Sequence, residues 1–295
     1  MPPSLRDKPR LITDALLRKW RLPEPEHEGS KEERGRALII AGAVEMPGAA
    51  ILASTAALRA GAGKTRVAIA EAAALGVATA VPELFVLGIA DGARRKESLR
   101  AVIDSARAAT AVLIGPGMRD TDAIRMLFPQ LLAMERLRAL IIDASALPVA
   151  DEFLPAAGKL RTILTPHASE MAFIAQRSHK KRGRDPLAIA RDAANHLGAI
   201  VVLKGAETLI CSPGGEAYLN RRGNVGLGTA GSGDVLAGFM TGLCARGVEP
   251  LQAAVWAVAS HARAGELLAR QRGKARLPRA RNRRVDWAAH GVELR

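Results

Sequence analysis

Apolar and polar residues follow one another in blocks along the chain, and the blocks come in two lengths. Short apolar runs occur in RALIIAG (36–42), TRVAIA (65–70), AVLIGPG (111–117), LRALIIDASAL (137–147), TILTPH (162–167) and AIVVLKG (199–205). Runs of this kind read as strands buried on both faces, where no polar alternation is needed. Longer stretches repeat apolar positions at helical spacing: 48–63, 97–109, TDAIRMLFPQLLAM (121–134, with Thr121 as the expected cap), 168–176, 186–197, the residues after Asp234, and 250–270. TLICSPGGEAYLN (208–220) predicts a hairpin turned by Pro213, Gly214 and Gly215, and 11–25 a short helix and turn. GAGKT (61–65) lacks the spacing of a P-loop and leads into a strand, so it reads as a helix C-cap and turn.

Strands alternating with helices predict an α/β fold with a mainly parallel sheet. The expected organisation is an N-terminal extension (1–34), one domain (35–270) and a basic C-terminal tail (271–295). Ligands of such sheets bind beyond the carboxyl ends of the strands. Several predicted strands end in small or polar clusters: AG at 41–42, GPG at 115–117, DAS at 143–145, TPH at 165–167 and KG at 204–205. These ends point to one shared cleft.

Composition narrows the picture. Hydrophobic residues make up 48% of the chain and aromatics 3%, so a core is available and a base-stacking surface is not. The formal charge of +14 is concentrated in SHKKRGRD (178–185) and in 270–284. Polyanions bind such runs, but a solvated loop and a mobile tail account for them more simply. Cys211 and Cys244 have no metal-ligand spacing and lie in apolar surroundings, which predicts buried free thiols and a reducing compartment. No apolar run reaches the roughly 18 residues of a membrane span, and the N-terminus has no signal-peptide core. The expectation is a cytoplasmic protein.

The densest chemical signal is GNVGLGTAGSGDVLAGFMTGL (223–243). Glycines let backbone N–H groups approach an anion, and the helix that follows adds the positive end of its dipole. Asp234, in the first turn, is placed to take a proton from a hydroxyl attacking a phosphorus held by the loop; the plainer reading is a helix cap. Lys204 is a candidate phosphate ligand or a solvated strand end. His167 is a candidate ligand contact, Glu170 a helix cap, and Asp143 a ligand to metal-bound water or phosphate.

Taken in order, RALIIAG, PGAAILASTAALRAGAG, VLIGPG, IIDASAL, ILTPHASE, VVLKGAET and GNVGLGTAGSGDVLAG resemble the motif series of ADP-dependent (S)-NAD(P)H-hydrate dehydratases of the ribokinase-like superfamily. The resemblance covers about residues 11–270 and implies a ribokinase-like three-layer α/β/α sandwich. It implies that ADP phosphorylates the C6 hydroxyl of hydrated NADH or NADPH, after which phosphate is eliminated and AMP released. By motif position, Asp234 would be the base, with Gly231 and Gly233 at the transferring phosphoryl group. Ala49, Gly117, His167 and Asp234 would contact the hydrate. Lys204, Gly205, Ala206, Glu207, Thr208 and Gly233 would hold the adenine nucleotide, and Asn224 would precede the glycine loop. Mg2+ would bridge the phosphates without a dedicated protein site. A separate epimerase would supply the S form, and a homotetramer is implied.

The motifs depart from the usual pattern at several positions. Ser145 replaces an acid, which would remove a carboxylate from metal or hydrate binding. Arg119 replaces a glycine and would serve a 2′-phosphate. Ala41, the Ala168-Ser169 pair and the AGSGD loop are further changes. Two other activities fit parts of the pattern: a superfamily kinase acting on a vitamin-precursor alcohol, and nucleic-acid binding through the basic runs. The lack of interleaved aromatics argues against the second.

Overall fold

The computed structural model of the chain describes residues 8–24, 34–157, 161–177 and 185–272. The basic run at 178–184 and the expected basic tail from 273 onward lie outside them. In chain order the elements are β1 (Arg10–Leu11), α1 (Asp14–Lys19), β2 (Arg36–Ile40), α2 (Pro47–Arg59), β3 (Lys64–Ala70), α3 (Glu71–Ala80), β4 (Phe85–Ile89), α4 (Arg95–Arg107), β5 (Ala111–Ile114), α5 (Thr121–Leu132), β6 (Ala139–Ile142), α6 (Leu147–Ala157), β7 (Thr162–Leu164), α7 (Ala168–Arg177), α8 (Pro186–Leu197), β8 (Ile200–Leu203), β9 (Thr208–Cys211), β10 (Ala217–Asn220), α9 (Ser232–Ala245) and α10 (Pro250–Arg272).

The strands form one sheet in the order β1-β10-β9-β8-β7-β6-β5-β2-β3-β4. Its pairings are parallel except those of β9 with β8 and β10. The continuous apolar runs follow from burial on both faces: Leu38, Ile39 and Ile40 are all 0% exposed. Ile39, Leu113 and Ile141 point into a layer built by α2, α9 and α10. Leu38, Ile40, Val112 and Leu140 point the other way, into α4, α5 and α6. A third cluster packs α8 on β8, β9 and β10. The chain leaves β2 for β3 and β4 on one side and returns to β5 on the other, so β2 and β5 flank a topological switch point.

The stretch set apart as an N-terminal extension contributes to this fold. β1 pairs with β10, and the Trp20 ring lies 5.7 Å from that of Tyr218. The Trp20 carbonyl accepts hydrogen bonds from Trp256 Nε1 (2.7 Å) and Gln252 Nε2 (3.0 Å). One expected cap is corrected: Asp120, not Thr121, caps α5, its carboxylate accepting from Ala123 N at 2.9 Å while also pairing with Arg95. α9 starts at Ser232, two residues before Asp234. The β9–β10 hairpin turns at Gly215 (φ 85°) as its sequence requires. Cys211 and Cys244 are buried free thiols. Among the described residues no helix is long and apolar enough to cross a membrane.

Candidate active site

Successive strand ends are stitched together on one rim of the sheet. Gly42 N donates to the Pro116 carbonyl (2.7 Å), and Ser145 Oγ to the Gly115 carbonyl (2.7 Å). Thr165 Oγ1 donates to Asp143 Oδ1 (2.7 Å), and Lys204 N to the Pro166 carbonyl (2.8 Å). The five clusters that the sequence placed after strands therefore lie side by side. Ala144, between Asp143 and Ser145, has φ 49°, a left-handed backbone that costs a non-glycine residue free energy and marks the turn as constrained.

Lys204 Nζ pairs with Asp143 Oδ1 at 2.8 Å, and Asp143 is only 2% exposed. Neither residue's sequence neighbourhood announces the other, yet each supplies the countercharge that burial of the other demands. Lys204 also reaches the glycine loop: a Cβ on Gly233 would stand 3.4 Å from its Nζ.

The loop ends in Gly231, the N-cap of α9, whose φ of 93° suits glycine and which offers no side-chain cap. The Ser232 N–H bonds the Thr229 carbonyl at 3.2 Å, which leaves the Gly233 and Asp234 N–H groups of the first turn open to an anion, with the helix dipole behind them. α9 is held rigidly. Gly238 lies against the Ala53 carbonyl and Gly242 against that of Ala57, contacts with α2 that leave no room for a Cβ. Asp234 lies in the first turn of α9. Burial, then the facing Asp143 carboxylate, push its pKa up to about 6, with Lys204 opposing. Its carboxylate does not cap the helix, so the plainer sequence reading fails.

His167 and Glu170 form a reciprocal pair at the start of α7: His167 N donates to Glu170 Oε2 (2.8 Å), and Glu170 N to His167 Nδ1 (3.3 Å). This has the form of a capping box, with histidine in the place of Ser or Thr. His167 is thereby fixed at the edge of a cleft of about 720 Å3. Asp143, Lys204, Gly205, Ala206, Thr208, Gly231, Gly233 and Asp234 also line that cleft. Glu207 lies beside a second cavity of about 570 Å3 across the 204–206 turn and pairs with Arg221 at 2.9 Å. Ala49 and Gly117 lie together at the β2/β5 switch point, where a Cβ on Gly117 would stand 2.6 Å from Ala49 Cβ; neither lines the 720 Å3 cleft.

Ser145 and Arg119, which depart from the family pattern, and Asn224, which matches it, have distinct places in the structure. Ser145 tethers the 115–117 turn through its hydroxyl. Arg119 is exposed and is not among the residues lining the cleft. Asn224 turns the loop by accepting from Gly226 N at 2.7 Å. Sequence reasoning missed His261, Asn220 and Arg222, which line the cleft. His261 Nε2 lies 3.1 Å from Ser232 Oγ. Its only sequence signal is an imidazole within the Ala/Val-rich stretch 253–262.

Among the described residues no group of three or more His, Cys, Asp or Glu side chains could hold a metal ion. The acidic residues lining the cleft are Asp143, Glu170 and Asp234; Asp143 is engaged by Lys204 and Thr165, and Glu170 by His167. Mg2+ keeps several waters and takes one or two carboxylates plus phosphates. This donor set fits a cation brought in on a nucleotide, not a caged one.

Residues 37–283 match the family model described as NAD(P)H-hydrate dehydratase. Over 272 residues the chain is 40% identical to the ADP-dependent (S)-NAD(P)H-hydrate dehydratase of Xanthomonas campestris pv. campestris, covering 90% of each chain. It is 36% identical to the bifunctional NAD(P)H-hydrate repair enzyme Nnr of Moorella thermoacetica, spanning 51% of that protein. The solved ADP/ATP-dependent NAD(P)H-hydrate dehydratase of Bacillus subtilis, co-crystallized with ATP/Mg2+, superposes with a TM-score of 0.79. It is 29% identical, with 98% of this chain and 99% of that one covered.

Proposed function

The chain belongs to the NAD(P)H-hydrate dehydratase family, and from that premise we propose that its cleft removes water from the S epimer of hydrated NADH or NADPH at the expense of ADP. The observation that carries the assignment of roles is Asp234, a half-buried carboxylate with a pKa of about 6 at the mouth of an anion-binding helix. A base of that strength is ionised near neutral pH and still accepts a proton usefully.

Asp234 takes the proton of the C6 hydroxyl as the oxygen attacks the β-phosphorus of ADP. The P–O bond to AMP breaks, and the electron pair leaves with AMP. The amides of Gly231 and Gly233, together with the dipole of α9, offset the charge on the transferring group. Phosphate then departs with the C6 oxygen. The neighbouring ring carbon loses a proton, and the dihydronicotinamide is restored. Phosphorylation converts hydroxide, a poor leaving group, into a good one.

Lys204 and the 205–208 backbone hold the nucleotide; His167 at the cleft edge, with Ala49 and Gly117 at the switch point on the same rim, holds the hydrate. Mg2+ bound to the phosphates, near Asp143 and Asp234, would neutralise charge there when present. A separate epimerase supplies the S epimer. We read the protein as a cytoplasmic homotetramer; of this, the apolar area exposed at Leu75 (79%) and Phe85 (56%) near the β4 edge supports self-association.

The test of the roles is Asp234→Asn. Turnover is lost while AMP still binds with wild-type affinity by calorimetry. Retained turnover would remove Asp234 from the base role.

A further inference from the structure

We infer that His261 is a positioning residue that holds the Ser232 hydroxyl as a side-chain donor to the transferring phosphoryl group, an inference that rests on the dehydratase reading. Ser232 is the first residue of α9 and only 5% exposed. Its backbone N–H is taken by the Thr229 carbonyl at 3.2 Å, so Ser232 can serve an anion only through its hydroxyl. That hydroxyl faces His261 Nε2 at 3.1 Å. His261 stands on α10 beside Val258 and Ala262, and all three line the same cleft as the glycine loop.

The protonation state follows from the surroundings. Burial pushes the His261 pKa down to about 4; a hydrogen bond to the Ser232 backbone opposes it, and the Lys204 ammonium adds to the lowering. The ring is neutral at working pH and carries one N–H. If that proton is on Nε2, the ring donates to Ser232 Oγ, and the serine proton is free to turn into the cleft. If it is on Nδ1, the serine spends its proton on Nε2 and presents only lone pairs to an incoming anion, which repels it. A phosphoryl group in the cleft selects the first arrangement. The histidine then touches no reacting atom; it acts through the serine.

The experiment combines a spectroscopic and a kinetic readout on the full chain. Long-range 15N–1H spectra of the 15N-histidine-labelled protein, with and without ADP and Mg2+, should show His261 as the neutral Nε2–H tautomer. Ser232→Ala and His261→Leu should each lower kcat by about tenfold to a hundredfold, the effect of losing one hydrogen bond to a charged group, with KM for the hydrate unchanged. The double variant should be no slower than the singles, because both break the same chain. His261→Gln, which returns an N–H near the place of Nε2, should recover most of the rate, as a merely structural role would not require. An Nδ1–H tautomer in the ADP complex, or a double variant slowed by the product of the single effects, overturns the inference. Should His261→Leu not fold, Ser232→Ala and the tautomer decide alone. An Nε2–H ring in a protein that dehydrates nothing supports the inference while sinking the functional reading. An Nδ1–H ring in an active enzyme sinks the inference alone.

Discussion

Burial and the Asp143 carboxylate raise the Asp234 pKa from 3.8 to about 6, so ionised Asp234 costs folding free energy at neutral pH. The sign is fixed by the order of the two values. Below 3.8 the group is protonated in both states and costs nothing; the penalty grows between 3.8 and 6 and is complete above 6. Asp234→Asn should therefore stabilise the protein by about 2 kcal/mol at pH 8. The gain should vanish by about pH 4 in denaturant titrations at both pH values. The same variant should lose roughly a hundredfold to ten-thousandfold in kcat. Wild-type kcat/KM should fall about tenfold per pH unit on the acid side of that pKa. Lys204→Met should move that acid limb to higher pH, since Lys204 holds the Asp234 pKa down. It should also cost about 3 kcal/mol by leaving Asp143 buried without its cation. Asp234, Lys204 and the glycine loop are legible in the sequence because each stands at the end of a recognisable element. The Asp143–Lys204 pair spans 61 residues, and His261 lies on a helix that reads as core, so local pattern could not join them to the site.

At the scale of elements, doubly buried strands are the most legible, because burial on both faces removes polar interruptions. β4 and α3 escaped for the opposite reason. β4 is an edge strand whose Phe85 is 56% exposed, and α3 is an alanine-rich helix with few fully buried residues. β1 has two residues, too few for any periodicity, and is defined only by its pairing with β10. The glycines of α9 mark its packing. Gly238→Ala drives a Cβ into the Ala53 carbonyl and should destabilise the protein by about 1–3 kcal/mol. By contrast, Gly76 on α3 is exposed, with nothing near its would-be Cβ, and Gly76→Ala should stabilise by about 0.5–1 kcal/mol. Chemical denaturation of the two variants separates helix propensity from close packing.

For the whole molecule, alternation of strands and helices gives the α/β class, but not the strand order. The return from β4 to β5 across β2 is a long-range choice, and it creates the switch point where Ala49 and Gly117 meet. The order of motifs along the chain did carry family membership, since five of them hold strand ends that converge on one rim, and the glycine loop into α9 lines the cleft there. The central claim is that this rim couples phosphoryl transfer to elimination. Its most direct test is to incubate the purified protein with (S)-hydrated NADH, ADP and Mg2+, following dihydronicotinamide absorbance together with AMP and phosphate. The account predicts full recovery of absorbance, with one AMP and one phosphate per NADH restored. A phosphorylated hydrate that accumulates while absorbance stays flat would contradict it.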